Sequence, residues 1–468
     1  MRTTFRSLIL TLTVFSLVPN FSHIATAADT EIFYVTPENL RTQLLEGNIA
    51  VLDGLNQVYQ AKALVNLERT KLLPSINLGL GGSASDPVSF ALSNVAFLLP
   101  FLLPSKWFDV RKSVHLLEAE GDSFYILQLN QFASIYSLYA TVVGDLSIYN
   151  VVKQQVANHQ KIQDLLEEKD KFLGSVIATD LAKARAQTKF SLQQLSQMDV
   201  LIKQERAALR QALGLSLETD IQFIATQVPA PDLQSMDSLQ KIIDLSLAIA
   251  PENRQIEALI AANKSDKWSK VFGVITGATI SGQSSPPMGS EPRHGAFDKL
   301  NYNATIGIGF SYLPAIRLNQ HTSRQLELRK IELRLEHSRM LESTMAALSE
   351  IEKQIQLVSE AEQEYILTYQ QQLKKYSFGT TDLLHVVSAQ NDITAASLAR
   401  VKAQLDLDHL RISMHRILLS DQFKEIKNCD LRIKAQKTSE KGFFKWLGEI
   451  FSPNRSQKTI DQVCRAGS

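Results

Sequence analysis

A chain of 468 residues with 49 basic and 48 acidic side chains is almost neutral, which argues against nucleic acid as its partner. Length alone predicts two or three globular domains. No His-Glu-x-x-His, Walker loop, Gly-x-Ser-x-Gly or clustered His/Cys set occurs, so the sequence offers no catalytic residue, no metal site and no cofactor pocket.

Residues 1–27 carry Arg2 and Arg6, the apolar run Leu8 to Val18 and then Ala25-Thr26-Ala27. This is the three-part layout of a secretory signal, with cleavage expected after Ala27. Its removal leaves 47 basic against 48 acidic residues, a net charge of −1. The two cysteines, Cys429 and Cys464, are 35 residues apart near the C-terminus. In an exported chain such a pair favours a disulfide over a metal or redox site.

From Thr36 to Thr70 the pattern is helical, opened by a capping threonine and Pro37 at the first helical position. Strands are predicted next, over about 74–83, where Ile76, Leu78 and Leu80 alternate with small residues, and over about 92–103. Pro104 then admits a proline-free block, Ser105 to Val228, that reads as two long helices meeting near Gly174. The first of them, about Lys106 to Leu173, would be roughly 100 Å long.

Residues 216–250 form a linker that contains Pro229-Ala230-Pro231. The order then recurs: a helix from Pro251, strands over about 272–282 and 301–312 around a Pro, Gly and Ser-rich loop, and a second proline-free block, Ala315 to Ser452, reversing near Gly379. Carboxylates such as Glu350, Glu352, Glu360, Glu362 and Glu364 read as a solvated helix face. The tail, 421–468, has ten basic and six acidic residues; its Phe443, Phe444, Trp446, Leu447, Ile450 and Phe451 make a short amphipathic stretch suited to packing around the helical body.

The two halves, 28–215 and 251–420, repeat at an offset of 205 residues, which overrides the prior from length. The offset carries Gly174 onto Gly379, Ala184 onto Ala389, Arg206 onto Arg411 and Leu213 onto Leu418. Ala389, Ile393, Ala396, Ala403, Leu407, Leu410, Met414 and Ile417 are spaced as a coiled-coil seam interrupted by Arg400. The offset places Ala184, Thr188, Ser191, Leu195, Met198, Ile202, Leu209 and Ala212 on the matching seam, with Glu205 as the odd member. Four strands of about ten residues with one apolar face suit a transmembrane barrel, yet four strands cannot close one. Membrane insertion therefore requires several chains to share a barrel.

With this order of elements the chain resembles the TolC-like outer-membrane efflux proteins over about residues 36–420. The resemblance is carried by Leu72-Leu73-Pro74, by the passages at Pro104 and Pro314, and by the doubled Gly-plus-six motif, Gly174 to Asp180 and Gly379 to His385. It implies a mainly α fold with transmembrane β: a homotrimer with a 12-stranded β-barrel, four strands per chain, in outer-membrane lipid, continuous with a long periplasmic α-helical barrel. It implies a non-enzymatic export duct that works with a periplasmic adaptor and an inner-membrane transporter. In the family the duct narrows at the periplasmic tip, in a ring of aspartates whose places fall here on His385 and Ser388. The lock between helices would use Thr179 with Tyr376, and Asp180 with a basic partner whose place Thr381 takes. Asp180 and Tyr376 match that pattern; Thr381, His385 and Ser388 depart from it. Because histidine titrates near pH ~6.5, a His385 ring predicts acid-dependent conductance. The rival reading is an exported coiled-coil scaffold without a pore.

Overall fold

The computed structural model describes residues 32–72, 103–173, 178–232, 239–273, 275–284, 300–308 and 312–426. The signal segment, the strands expected at 74–83 and 92–103, Gly174, Cys429, Cys464 and the tail beyond 426 lie outside the described residues.

The chain runs β1 (Ile32–Val35), α1 (Pro37–Gly47), α2 (Ile49–Thr70), α3 (Pro104–Leu173), α4 (Ala178–Leu213), β2 (Asp220–Phe223), α5 (Leu239–Ile249), α6 (Pro251–Phe272), β3 (Ile275–Ser284), β4 (Leu300–Ile308), α7 (Tyr312–Ser377) and α8 (Leu383–Leu418), then a 3-10 turn, Asp421–Glu425. The repeat is written into element lengths. Helices α1 and α5 both have 11 residues, α2 and α6 both 22, α4 and α8 both 36, while α3 and α7 have 70 and 66. At 1.5 Å per residue α3 and α7 are each roughly 100 Å long.

These helices form a row. Near the reversals α4 packs on α3, α3 on α8 and α8 on α7; at the other end α2 and α6 both pack on α3, and α6 on α7. Helix α2 therefore continues the line of α4, and α6 that of α8. The joint between α4 and α2 is close. Asn48 caps α2 by accepting from Val51 N at 3.0 Å, and its amide donates to Ala212 O at 2.6 Å. Gly214 bends away from α4 at φ +65, where a Cβ would sit 2.1 Å from Gly47 O.

The seam residues do pack inward. Ala184, Thr188, Ser191, Ile202 and Leu209 are buried on α4, as are Ala389, Ala396, Leu407, Met414 and Ile417 on α8. Arg400 interrupts the second seam because it reaches Glu362 of α7, Nε to Oε2 at 2.6 Å. Glu205 interrupts the first because it meets Asp145 of α3. The main core lies midway along α3, where Phe132, Tyr136 and Tyr139 are covered by α1, by the ends of α2 and α4, and by Phe423, whose ring meets Phe132 edge-on at 4.9 Å.

Several boundaries differ from the sequence reading. The helix expected across 36–70 is two helices, because Asn48 stops one and caps the next. Phe272 ends α6 instead of opening a strand, since it stacks on Phe108 (5.5 Å) and Trp268 (5.9 Å). The strand expected at 301–312 is β4, ending at Ile308, and Tyr312 already belongs to α7; Pro314 sits in that helix's first turn, where proline is tolerated. The linker 216–250 is folded: β2 pairs in parallel with β1, Ile32 opposite Asp220 to Val35 opposite Phe223, and α5 follows. This pairing is long-range and left no local signal. Strands β3 and β4 form the antiparallel hairpin anticipated, Ile275 opposite Ile308 to Ser284 opposite Leu300, with an irregularity between Ile275 and Gly277.

Candidate gate at the helical reversals

The two reversals lie at the same end of the molecule. One cluster joins Ile162 and Leu166 of α3, Ala184 of α4, and Leu383 and Val386 of α8, with Tyr369, Leu373 and Tyr376 of α7 against it. The second reversal is built by a Schellman motif: Thr380 N donates to Lys375 O at 2.9 Å and Gly379 N to Tyr376 O at 3.1 Å, with Gly379 at φ +74. Only glycine adopts that conformation without strain, so its place after α7 fits.

Around this turn stand the residues singled out from sequence. Asp180 is half-buried in the first turn of α4, where the helix dipole favours an acid. Tyr376 is half-buried in the last turn of α7; burial, and then the Asp180 charge, push its phenol above the usual range. The structure thus brings Asp180 and Tyr376 into one electrostatic neighbourhood. Thr179 is exposed at the start of α4. Thr381 does not stand in for a base: its hydroxyl donates to Gln372 Oε1 at 3.5 Å, a long hydrogen bond within its own hairpin. His385 and Ser388 are exposed one turn apart on α8.

A cation at the tip was missed. Lys169 of α3 lies over the Tyr376 ring, 4.8 Å from its centroid, and its Nζ donates to Tyr376 O at 3.5 Å. The resemblance places a basic partner after Gly379, whereas the cation found against Tyr376 stands on the helix before the first reversal. Two turns of α4 further on, Arg185 gives two N–H groups to Glu167 Oε1 at 3.1 and 3.0 Å, while Gln163 donates to the same oxygen at 3.2 Å. The Arg185 and Gln163 hydrogen bonds hold the Glu167 carboxyl below its ordinary range. At this end packing and a few charges hold the two helical hairpins together.

No protein-family model matches the sequence, and no curated protein matches it. Solved structures do. CusC, described as forming a transmembrane channel, aligns with a TM-score of 0.66 at 14% identity over 86% of this chain and 99% of that one. The Campylobacter jejuni CmeC outer membrane channel aligns at 0.60 and 14% over 91% and 98%. The open state of the Neisseria gonorrhoeae MtrE outer membrane channel aligns at 0.60 and 13% over 82% and 88%. Across that length, and with the helical row and its reversals in place, the chain shares the fold of the TolC-family outer-membrane efflux channels.

Proposed function

We propose that this chain is the outer-membrane exit duct of a tripartite efflux or type I secretion system. It is a homotrimer whose strand hairpins build one barrel in outer-membrane lipid and whose helices form a periplasmic tube. A periplasmic adaptor and an inner-membrane transporter deliver small molecules or polypeptides to the tip. The observation that carries this reading is the pairing of a helical row roughly 100 Å long with a ten- and nine-residue strand hairpin at the end remote from the reversals. That hairpin length suits a bilayer crossing, and a lone two-stranded hairpin needs partners to be stable.

The test is single-channel recording of the detergent-purified mature protein in a planar bilayer, with cross-linking to count subunits. A trimer with one discrete, small conductance supports a duct closed at its tip. A protein soluble without detergent and silent in the bilayer would instead establish the exported coiled-coil scaffold.

A further inference from the structure

The ends of α3 and α6 remote from the reversals are basic, although the chain as a whole is almost neutral. Residues 104–113 and 263–272 hold Lys106, Arg111, Lys112, Lys264, Lys267 and Lys270 against Asp109 and Asp266 alone. Both acids are engaged between the helices: Asp266 accepts from Lys112 at 2.7 Å and Asp109 from Ser269 at 2.5 Å. Lys106, Arg111, Lys264, Lys267 and Lys270 have no ion-pair partner among the described residues, so this end carries a net positive field.

Aromatic rings stand beside these cations. Phe108 of α3 stacks on Phe272 and Trp268 of α6 at 5.5 and 6.4 Å. Yet Trp107, Trp268 and Phe272 are 47, 42 and 40% exposed. Rings left this open to water forfeit much of the gain that burial would bring.

Rings and cations are ordered alike on both helices. On α3 Trp107 is 3 residues in from Pro104 and Arg111 is 7; on α6 Phe272 is the last residue, Trp268 is 4 in, Lys267 is 5 and Lys264 is 8. Trp107 and Arg111 are four apart, as are Lys264, Trp268 and Phe272, so each set shares one exposed helix face. Going away from the strand hairpin, the rings come first and the cations follow about one turn later. That is the order of a bilayer boundary, where amphipathic rings lie at headgroup level and the stems of Lys and Arg carry their charge outward to the phosphates. Lys106 and Lys270 stand level with the rings, on other faces of their helices.

We propose that this collar binds the phosphates of anionic phospholipids in the leaflet next to the helices, with Arg111, Lys264 and Lys267 on the headgroups and the four rings against the upper acyl chains. Arginine offers a planar fork that matches a phosphate, and the lysines add point charge. Each cation near an anionic lipid surface strengthens binding about fivefold, which favours phosphatidylglycerol over a zwitterionic lipid. This inference rests on the duct reading and adds a lipid preference at its membrane boundary.

Tryptophan quenching in the mature protein tests it, in a Trp446→Phe background so that Trp107 and Trp268 alone report. The protein is reconstituted in phosphatidylcholine vesicles with a minor share of either phosphatidylglycerol or phosphatidylcholine brominated at the headgroup end of the acyl chain. Brominated phosphatidylglycerol should quench at a roughly tenfold lower share than brominated phosphatidylcholine, and high salt should narrow the difference. Combining Arg111→Gln, Lys264→Gln and Lys267→Gln should bring the two lipids level while helical circular dichroism and conductance are retained. Equal quenching by both lipids around a conducting trimer, or a preference that survives the triple variant, overturns the collar and leaves the duct standing. A protein that neither conducts nor is quenched by either lipid overturns both.

Discussion

At the residue scale the two left-handed glycines separate strain from crowding. Gly214 and Gly379 have φ of +65 and +74, but a Cβ at Gly379 meets nothing within 4 Å while one at Gly214 runs into the Gly47 backbone. Gly379→Ala should therefore cost about 1 kcal/mol, the left-handed penalty alone, and Gly214→Ala roughly 3 kcal/mol or more, because strain and overpacking add. Thermal unfolding of both variants checks the order. The offset of 205 carries Gly214 onto Leu419, which keeps the left-handed turn at φ +47; its side chain packs on the main core, and that contact offsets the strain. Exposure of His385 makes a sharper test of the tip. If three copies line the constriction, conductance of the wild type should change between pH 7.5 and 5.5 and that of His385→Ala should change much less; identical responses would remove His385 from the gate.

At the scale of elements, the contact between α3 and α4 contains a proton. Burial first, and then the hydrogen bond to Asp145 and its charge, push the Glu205 carboxyl up to about 8 from 4.5. The folded protein thus holds a proton that the unfolded chain has lost between those values, so this pair's contribution to stability falls as pH rises through that window. Glu205→Gln should flatten the fall: its melting temperature should exceed the wild type's at pH 8.5 and approach it at pH 5. A parallel decline in both proteins would show that other groups set the alkaline limit. A second polar lock joins three helices. Asp266 of α6 accepts from Lys112 of α3 at 2.7 Å and from Asn319 of α7 at 2.8 Å. Burial opposes its ionisation, but these hydrogen bonds outweigh burial and hold the carboxyl below its usual range. The lock adds direction to a seam otherwise made of small residues, Ala258, Ala262, Ser265 and Ser269, which let α6 approach α3 closely.

At the scale of the whole molecule, duct and scaffold differ in what the strand hairpins do. The helices have cores of their own, around Phe132, Leu341 and Leu166, whereas β3 makes its principal described contacts with β4. Replacing residues 275–308 by a short Gly-Ser linker should leave helical circular dichroism nearly unchanged and abolish bilayer conductance; a variant that still conducts would refute a pore built from these strands. The doubled order, the long helices, the seams and the turn at Gly379 were all legible in the chain, because each is a local pattern of apolar spacing, proline exclusion or a glycine-only backbone angle. Asn48 as a cap between α1 and α2, the parallel pairing of β1 with β2, and Lys169 over Tyr376 were not, because each joins residues whose partner is set by how helices lie side by side. Glu205 and Arg400 show the division most plainly. Sequence marks both as breaks in an apolar seam, but only burial, with Asp145 alongside, raises the pKa of one, and only packing opposite Glu362 makes the other an ion pair.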